Sequence, residues 1–359
     1  MKNRSLYDML VQHQFHIEQY KNGLAFEFRK RLPKLLKELR ILFKEVNFNS
    51  LDVLSKKEFE RFKRNIEKAN NKFFSAWLVY ISKELNDFMM QDLKIIKAMV
   101  GNHFNESDVP ELEELKIEKL LSDNKIENRE KDSLIPLIWL QNEESEKLWS
   151  YIANSILPAN GLLVSSFLSG LKGYSANLIL NSLNQSYANK ENTFEALKAI
   201  VGTKENNYKD GQIRKITNAN DSINDTIVQQ ITSQLEVGVE SIVFRKYIWN
   251  SVMDFRTSNI CISRNNKIYI YGKGPIPPAH NRCRSKINPV VLGKPGKEES
   301  YFQWLQRQSK DKQDEMLGSK KAALFRKGEL TEKDFQKFEE KTRLSSDDFA
   351  SKLISILTP

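Results

Sequence analysis

At 359 residues, with 40% hydrophobic and 28% charged side chains and a mean hydropathy of −0.53, the chain has the make-up of a globular protein, neither disordered nor fibrous. No window approaches the ~20 uninterrupted apolar residues of a bilayer helix, and no apolar run follows the charges of Met1 to Asp8, so neither a membrane span nor a secretory leader is expected. Two cysteines cannot build a disulfide framework; they leave one bridge, one metal site or two buried thiols, in a compartment that is cytosolic by default.

The net charge of +10 is unevenly spread: residues 1–100 carry +8, 101–150 carry −7, 151–240 carry −1, 241–290 carry +8 and 291–359 carry +2. A fifty-residue block as basic as the first hundred residues suits either a phosphate backbone or simple solubility.

Residues 5–46 repeat apolar side chains at helical spacing through Leu6, Leu10, Ile17, Leu24, Phe28, Leu35, Leu39 and Phe43. Gly23 and Pro33 interrupt the pattern and predict two helices or a kinked one. A turn at Asn47–Ser50 leads to a long amphipathic helix over 55–100, on which Phe62, Ile66, Phe73, Trp77, Ile81, Leu85, Phe88, Leu93 and Ile96 recur, packed antiparallel on the first. Residues 101–133 are rich in Glu, Asp and Asn and read as an acidic hinge with one short helix. Helices are expected around 139–156, 162–189 and 192–201, the last capped by Gly202, followed by a loop at 206–211 and a helix from Asp221 or Ser222 to Val243. From Tyr247 the pattern changes. Tyr247-Ile248-Trp249 and Lys267–Tyr271 read as short strands, so that a β excursion separates Cys261 from the proline-rich segment, and Pro275, Pro277 and Pro278 forbid regular structure until about Ser285. The fold class is therefore mainly α with a small β-hairpin subdomain (α+β), a long N-terminal helical arm preceding a compact C-terminal domain. The expected boundaries are a helical arm over 1–100, an acidic hinge over 101–140, a domain over 141–292 and a helical tail over 293–359.

Chemistry concentrates in the basic block. Cys261, His280 and Cys283 form a soft N/S ligand set, and the His-x-x-Cys spacing lets two side chains reach one ion from a single turn. Asp254 is placed as a fourth zinc ligand or as an acceptor that fixes the His280 tautomer. A Cys-x-x-Cys knuckle is absent, so a hydrogen-bonded cluster with two buried thiols is favoured over bound metal, with a Cys261–Cys283 disulfide a third option disfavoured in a reducing compartment. An enzymatic reading makes Cys261 a nucleophile and His280 its base, without an evident oxyanion loop. His13 and His16 share a helix face but have no carboxylate or Cys at ligand spacing, which favours ordinary amphipathic residues. Walker, Gly-x-Gly-x-x-Gly and His-Glu-x-x-His motifs are missing.

The ordered set Asp254-Phe255-Arg256-Thr257-Ser258, Cys261, Gly274-Pro275 and Pro277-Pro278-Ala279-His280-Asn281-Arg282-Cys283-Arg284 resembles the signature of the tailed-phage minor head proteins, the Mu F-like head morphogenesis family. Arg264-Asn265-Asn266 stands where that family usually has a Leu-Asp-Gly turn. Leu157–Gly161, Trp304–Gln308, Leu317-Gly318, Leu324–Leu330 and the opening residues Leu6 to Gly23 extend the likeness, whereas residues 50–140 match nothing in it. The resemblance implies a structural cluster of Asp254, Arg256, Thr257, Cys261, His280, Cys283 and Arg284. It also implies a low-copy virion component inside the head at the portal vertex, present in host cytoplasm during assembly. Its partners would be portal and capsid proteins, its role capsid assembly and DNA packaging or release, with no enzymatic activity; the alternative is a Cys/His hydrolase or nuclease-like enzyme. Arg245, Lys246, Arg264, Lys267, Lys273 and Lys286 are the cations expected to face duplex DNA without sequence preference, Arg256 and Arg282 being close enough to the cluster for internal use.

Overall fold

A computed structural model describes residues 6–46, 49–103, 135, 137–251, 258–290 and 305–330. Most of the expected acidic hinge, as well as Asp254, Arg256 and Thr257, lie outside the described residues. The protein is mainly helical with one small antiparallel sheet.

The first helix, α1 (Leu6–Val46), runs unbroken through Gly23 and Pro33, contrary to the expected interruption. Proline removes one backbone donor. Around it Leu32, Leu35, Leu36 and Leu39 are all buried, and each such side chain contributes ~1.5–3 kcal/mol, enough to hold the turn together. After a 3-10 turn at Leu51–Val53, α2 spans Lys56–His103, close to the expected bounds. The segment around 139–156 is two helices, α3 (Leu137–Gln141) and α4 (Ser145–Ala153), separated where Glu143 takes a positive φ of 52°. Next come α5 (Val164–Ala188), α6 (Thr193–Val201) and α7 (Gln212–Val243). Helix α7 starts at Gln212, nine residues before Asp221 and ten before Ser222, the expected caps. Asp221 lies in its interior and pairs with Arg29, so the capping residue type was answering a partner elsewhere in the chain.

Two compact units divide the described chain, and α1, α2 and α7 each contribute to both. In the unit containing residues 20–85 and 162–227, α1 and α2 run antiparallel: Phe43 meets Phe62 at 5.1 Å, Phe28 meets Trp77 at 5.0 Å, and Tyr20 OH donates to the carbonyl of Glu84 at 3.0 Å. Phe59 stacks on Tyr187 of α5 at 3.9 Å. Gly202 ends α6 with φ of 96°, a conformation other residues rarely adopt, and its N–H bonds the carbonyl of Lys198.

The unit containing residues 86–161 and 228–342 holds the sheet. Its strands are β1 (Lys246–Asn250), β2 (Ile268–Ile270) and β3 (Lys286–Pro289), in the order β2-β1-β3, with Tyr247 opposite Tyr269 and Trp249 opposite Ile287. Strand β3 was not foreseen. Its four residues, Lys-Ile-Asn-Pro, carry too little alternation to signal a strand, and only pairing with β1 extends them. Cys261 sits on a short helix, α8 (Asn259–Arg264), ahead of β2; Ser258 caps it by accepting the N–H of Cys261. Tyr247, Ile287, Tyr271, Phe244 and Val237 make a small core beneath the sheet. Two further helices, α9 (Lys310–Leu317) and α10 (Ser319–Arg326), meet at Gly318 in the described part of the tail.

Candidate functional site

The structure brings together the residues that the His-x-x-Cys spacing singled out. Cys261 Sγ lies 3.2 Å from His280 Nε2 and 3.7 Å from Cys283 Sγ, and the three ligand atoms all fall within 4.8 Å of one another. Three segments supply them: α8, the proline-rich loop, and the turn ahead of β3. The loop is closed tightly, since the N–H of Cys283 bonds the carbonyl of His280 at 3.1 Å and Arg282 between them takes φ of 59°. His280 Nδ1 lies 2.8 Å from the carbonyl oxygen of Asn281, which can only accept; Nδ1 therefore carries the proton, and Nε2 turns its lone pair to the sulfur.

Both sulfurs are buried, Cys261 1% exposed and Cys283 0%, against the indole of Trp249 with Tyr269 and Ala279 alongside. Both thiols are free, and 3.7 Å is far beyond a disulfide bond, which sets aside the Cys261–Cys283 bridge. A hydrogen bond from Cys283 draws the Cys261 thiol down to about 6 against the opposing effect of burial, with help from the Ser258 and Ser285 hydroxyls and the charge of Arg264. Cys283 is correspondingly pushed up, first by that same bond and then by burial.

A polar frame around the cluster was not legible in the sequence. Ser251 Oγ donates to the carbonyl of Cys261 at 2.9 Å and accepts from Trp249 Nε1 at 3.0 Å, the Ser251 N–H bonds Asn265 Oδ1 at 2.9 Å, and Ser285 Oγ lies 3.1 Å from Ser251 Oγ. Gln229 on α7 donates to the carbonyl of Ser285 at 3.1 Å. Arg284 is half-buried beside Cys283.

The cations expected to face DNA separate into three environments. Arg245, Lys246, Lys267 and Lys273 are exposed on β1, β2 and their flanks. Arg264 is half-buried, its guanidinium 5.0 Å from the centre of the Trp249 ring. Lys286 is a correction: it is 6% exposed, and its ammonium lies 3.1 Å from Glu236 Oε1, 3.1 Å from His13 Nδ1 and 3.3 Å from the carbonyl of Leu10. A charge enclosed in this way is spent on its neighbours and has no phosphate to reach.

No protein-family model, no curated protein and no solved structure matches this chain.

Lys286 belongs to a buried ion network that also corrects the reading of His13. His13 Nε2 lies 2.5 Å from Asp92 Oδ1, Asp92 Oδ2 accepts from Thr232 at 2.7 Å, and Tyr271 OH donates to Glu240 Oε2 at 2.5 Å. The carboxylates that His13 lacked at ligand spacing arrive from α2 and α7, 79 and 223 residues away in the chain. Burial pushes Glu236 up, opposed by Lys286 and His13. Glu240 stands well above its usual range, through burial and then the neighbouring Glu236. Glu236 Oε2 has no hydrogen-bond partner among the described residues, and Oε1 faces Lys286 at ion-pair distance without hydrogen-bond alignment. The sequence held one sign of this network: Glu236 and Glu240, four apart on one helix face, sit among Leu235, Val237 and Val239.

Proposed function

We propose that the chain is a phage minor head protein, a low-copy virion component inside the head at the portal vertex, acting with portal and capsid proteins in capsid assembly and DNA packaging or release. The observation that carries this reading is the convergence of Cys261, His280 and Cys283, at 3.2 and 3.7 Å, from the two halves of the motif that resembles the head morphogenesis family. An ordered motif whose distant parts meet in space is a stronger support than the motif as a string of letters. Among the described residues the cluster knots the loop of residues 262–279, with both sulfurs out of solvent, which supports a structural role over a nucleophilic one.

The hydrolase reading keeps one favourable feature, a Cys–His pair at 3.2 Å with a thiol lowered to about 6. Against it, a sulfur 1% exposed offers a substrate no approach. Contact with DNA enters this proposal through the four exposed cations Arg245, Lys246, Lys267 and Lys273, which would give salt-sensitive, non-specific binding with Kd of ~10⁻⁴ to 10⁻⁶ M.

The test is genomic and then biochemical. A portal gene beside this one, and co-purification of the two products, are the expected outcomes. Neighbours of unrelated function together with no complex overturn the assignment.

A further inference from the structure

We infer that Cys261, His280 and Cys283 bind one zinc ion, which ties α8, the proline-rich loop and the start of β3 together. The inference rests on the structural reading of the cluster above and not on the head-protein assignment.

Geometry is the first support. Two thiolates each ~2.3 Å from a tetrahedral zinc stand roughly 3.75 Å apart, and a thiolate and an imidazole nitrogen roughly 3.5 Å apart. The sulfurs here are 3.7 Å apart, and the sulfur–nitrogen separation of 3.2 Å needs only a small outward movement of the imidazole. Orientation is the second support. A ligating histidine almost always donates its other ring nitrogen to a carbonyl or carboxylate, which fixes the tautomer and aims the lone pair; the bond from His280 Nδ1 to the carbonyl of Asn281 does this with no metal needed to explain it. The third is the chemistry of the donors. Two sulfurs and one imidazole are a borderline-soft set that favours zinc over the hard cations, which take oxygen.

The local sequence also calls for a cross-link. Pro275, Pro277 and Pro278 donate no backbone hydrogen bonds, and the apolar cluster at this end of the sheet is small: Trp249 and the two cysteines, with Tyr269 and Ala279 at its edge. Joining three segments at one ion replaces the apolar burial they lack. Binding releases the protons still held by the sulfurs, leaving Zn²⁺ with two thiolates, neutral His280, and a fourth position that water can take. His280 is half-buried, so solvent reaches that side of the site.

The experiment is metal analysis of the full chain purified under reducing conditions, followed by stripping with a chelator and reloading with cobalt(II). About one zinc per chain, and on reloading the visible bands of tetrahedral cobalt with a thiolate-to-metal charge-transfer band, are expected. Cys283→Ser and His280→Ala should each lose the ion, while His280→Cys should keep it. Should Cys283→Ser fail to fold, the wild-type cobalt spectrum still decides. Reduced wild-type protein that carries no zinc and develops no cobalt–thiolate band overturns the inference, as does an intact mass two hydrogens lighter, which marks a disulfide. Zinc binding without portal co-purification would sink the head-protein reading alone, and the reverse result would sink zinc alone.

Discussion

The paired stretches of α1 and α2 and the sheet-and-loop region of residues 246–289 solve the same problem with opposite means. Over residues 20–85 the two helices bury Phe28, Leu35, Leu39, Phe43, Phe62, Phe74 and Trp77, and non-directional apolar area does most of the stabilising. The sheet region buries Tyr247, Trp249, Tyr271 and Ile287 and adds directional contacts to them: a sulfur–imidazole cluster, serine hydroxyls, and an ammonium enclosed by Glu236 and His13. The first kind of region tolerates error in position and fails when volume is lost. The second tolerates little, because a single missing partner strands a buried polar group.

Substitutions in each region test that contrast. The largest effect is expected from Trp77→Ala, which removes a ring 1% exposed and in edge contact with Phe28; a loss of about 3–5 kcal/mol in urea unfolding is expected, and a loss below about 1 would show that the aromatic core is not what holds the helices. Lys286→Met should cost about 3–5 kcal/mol as well, by leaving Glu236 buried without its counter-charge, and adding Glu236→Leu should recover most of it. A wild-type-like Lys286→Met would mean that the network is not closed as described. Gly274→Ala tests the tight packing of the sheet end: a Cβ there would run into the Tyr247 hydroxyl and the Tyr269 side chain, for an expected loss of about 1–3 kcal/mol that a trimming Tyr247→Phe should relieve in part.

The smallest effect is a gain. Glu240 is held above its ordinary value of 4.5, so it stays protonated in the fold at pH values where the unfolded chain has released its proton. Its contribution is fully present below about 4.5 and is lost as pH rises toward the folded value, with a limiting slope of ~1.4 kcal/mol per pH unit for one proton. Glu240→Gln keeps an acceptor for Tyr271 OH without a proton to lose. Stability at neutral pH should therefore rise and its decline with pH should flatten, Glu236 accounting for the slope that remains. An unchanged pH profile would show that Glu240 is already ionised in the fold.

Much of the helical part was legible, for a reason seen in particular residues. Trp77, Ile81 and Leu85 repeat at the period of the helix and carry their burial with them, so the sequence alone bounds α2 to within a few residues. Asp221 misled because an acidic residue at a plausible cap position is indistinguishable, in sequence, from one that answers Arg29 across the fold. Pro33 misled in the other direction: its local penalty is visible in the sequence, while the burial of Leu32 and Leu36 that outweighs it is not.

For the candidate site the division is similar. His280-x-x-Cys283 and the lone Cys261 announced a cluster, because residue type and spacing are local and their chemistry is specific. Ser251, Asn265, Ser285 and Gln229, which hold it in place, carry no local mark. Helical periodicity, the β-rich aromatic segments and the identity of the sulfur and imidazole donors are properties of neighbouring residues and their period, and so are open to a reading of the chain alone. That Lys286 turns inward, that His13 meets Asp92 and that a four-residue strand closes the sheet emerge only on folding. Those outcomes depend on partners tens to hundreds of residues away, where the energy lies in desolvated pairs that no window along the chain contains.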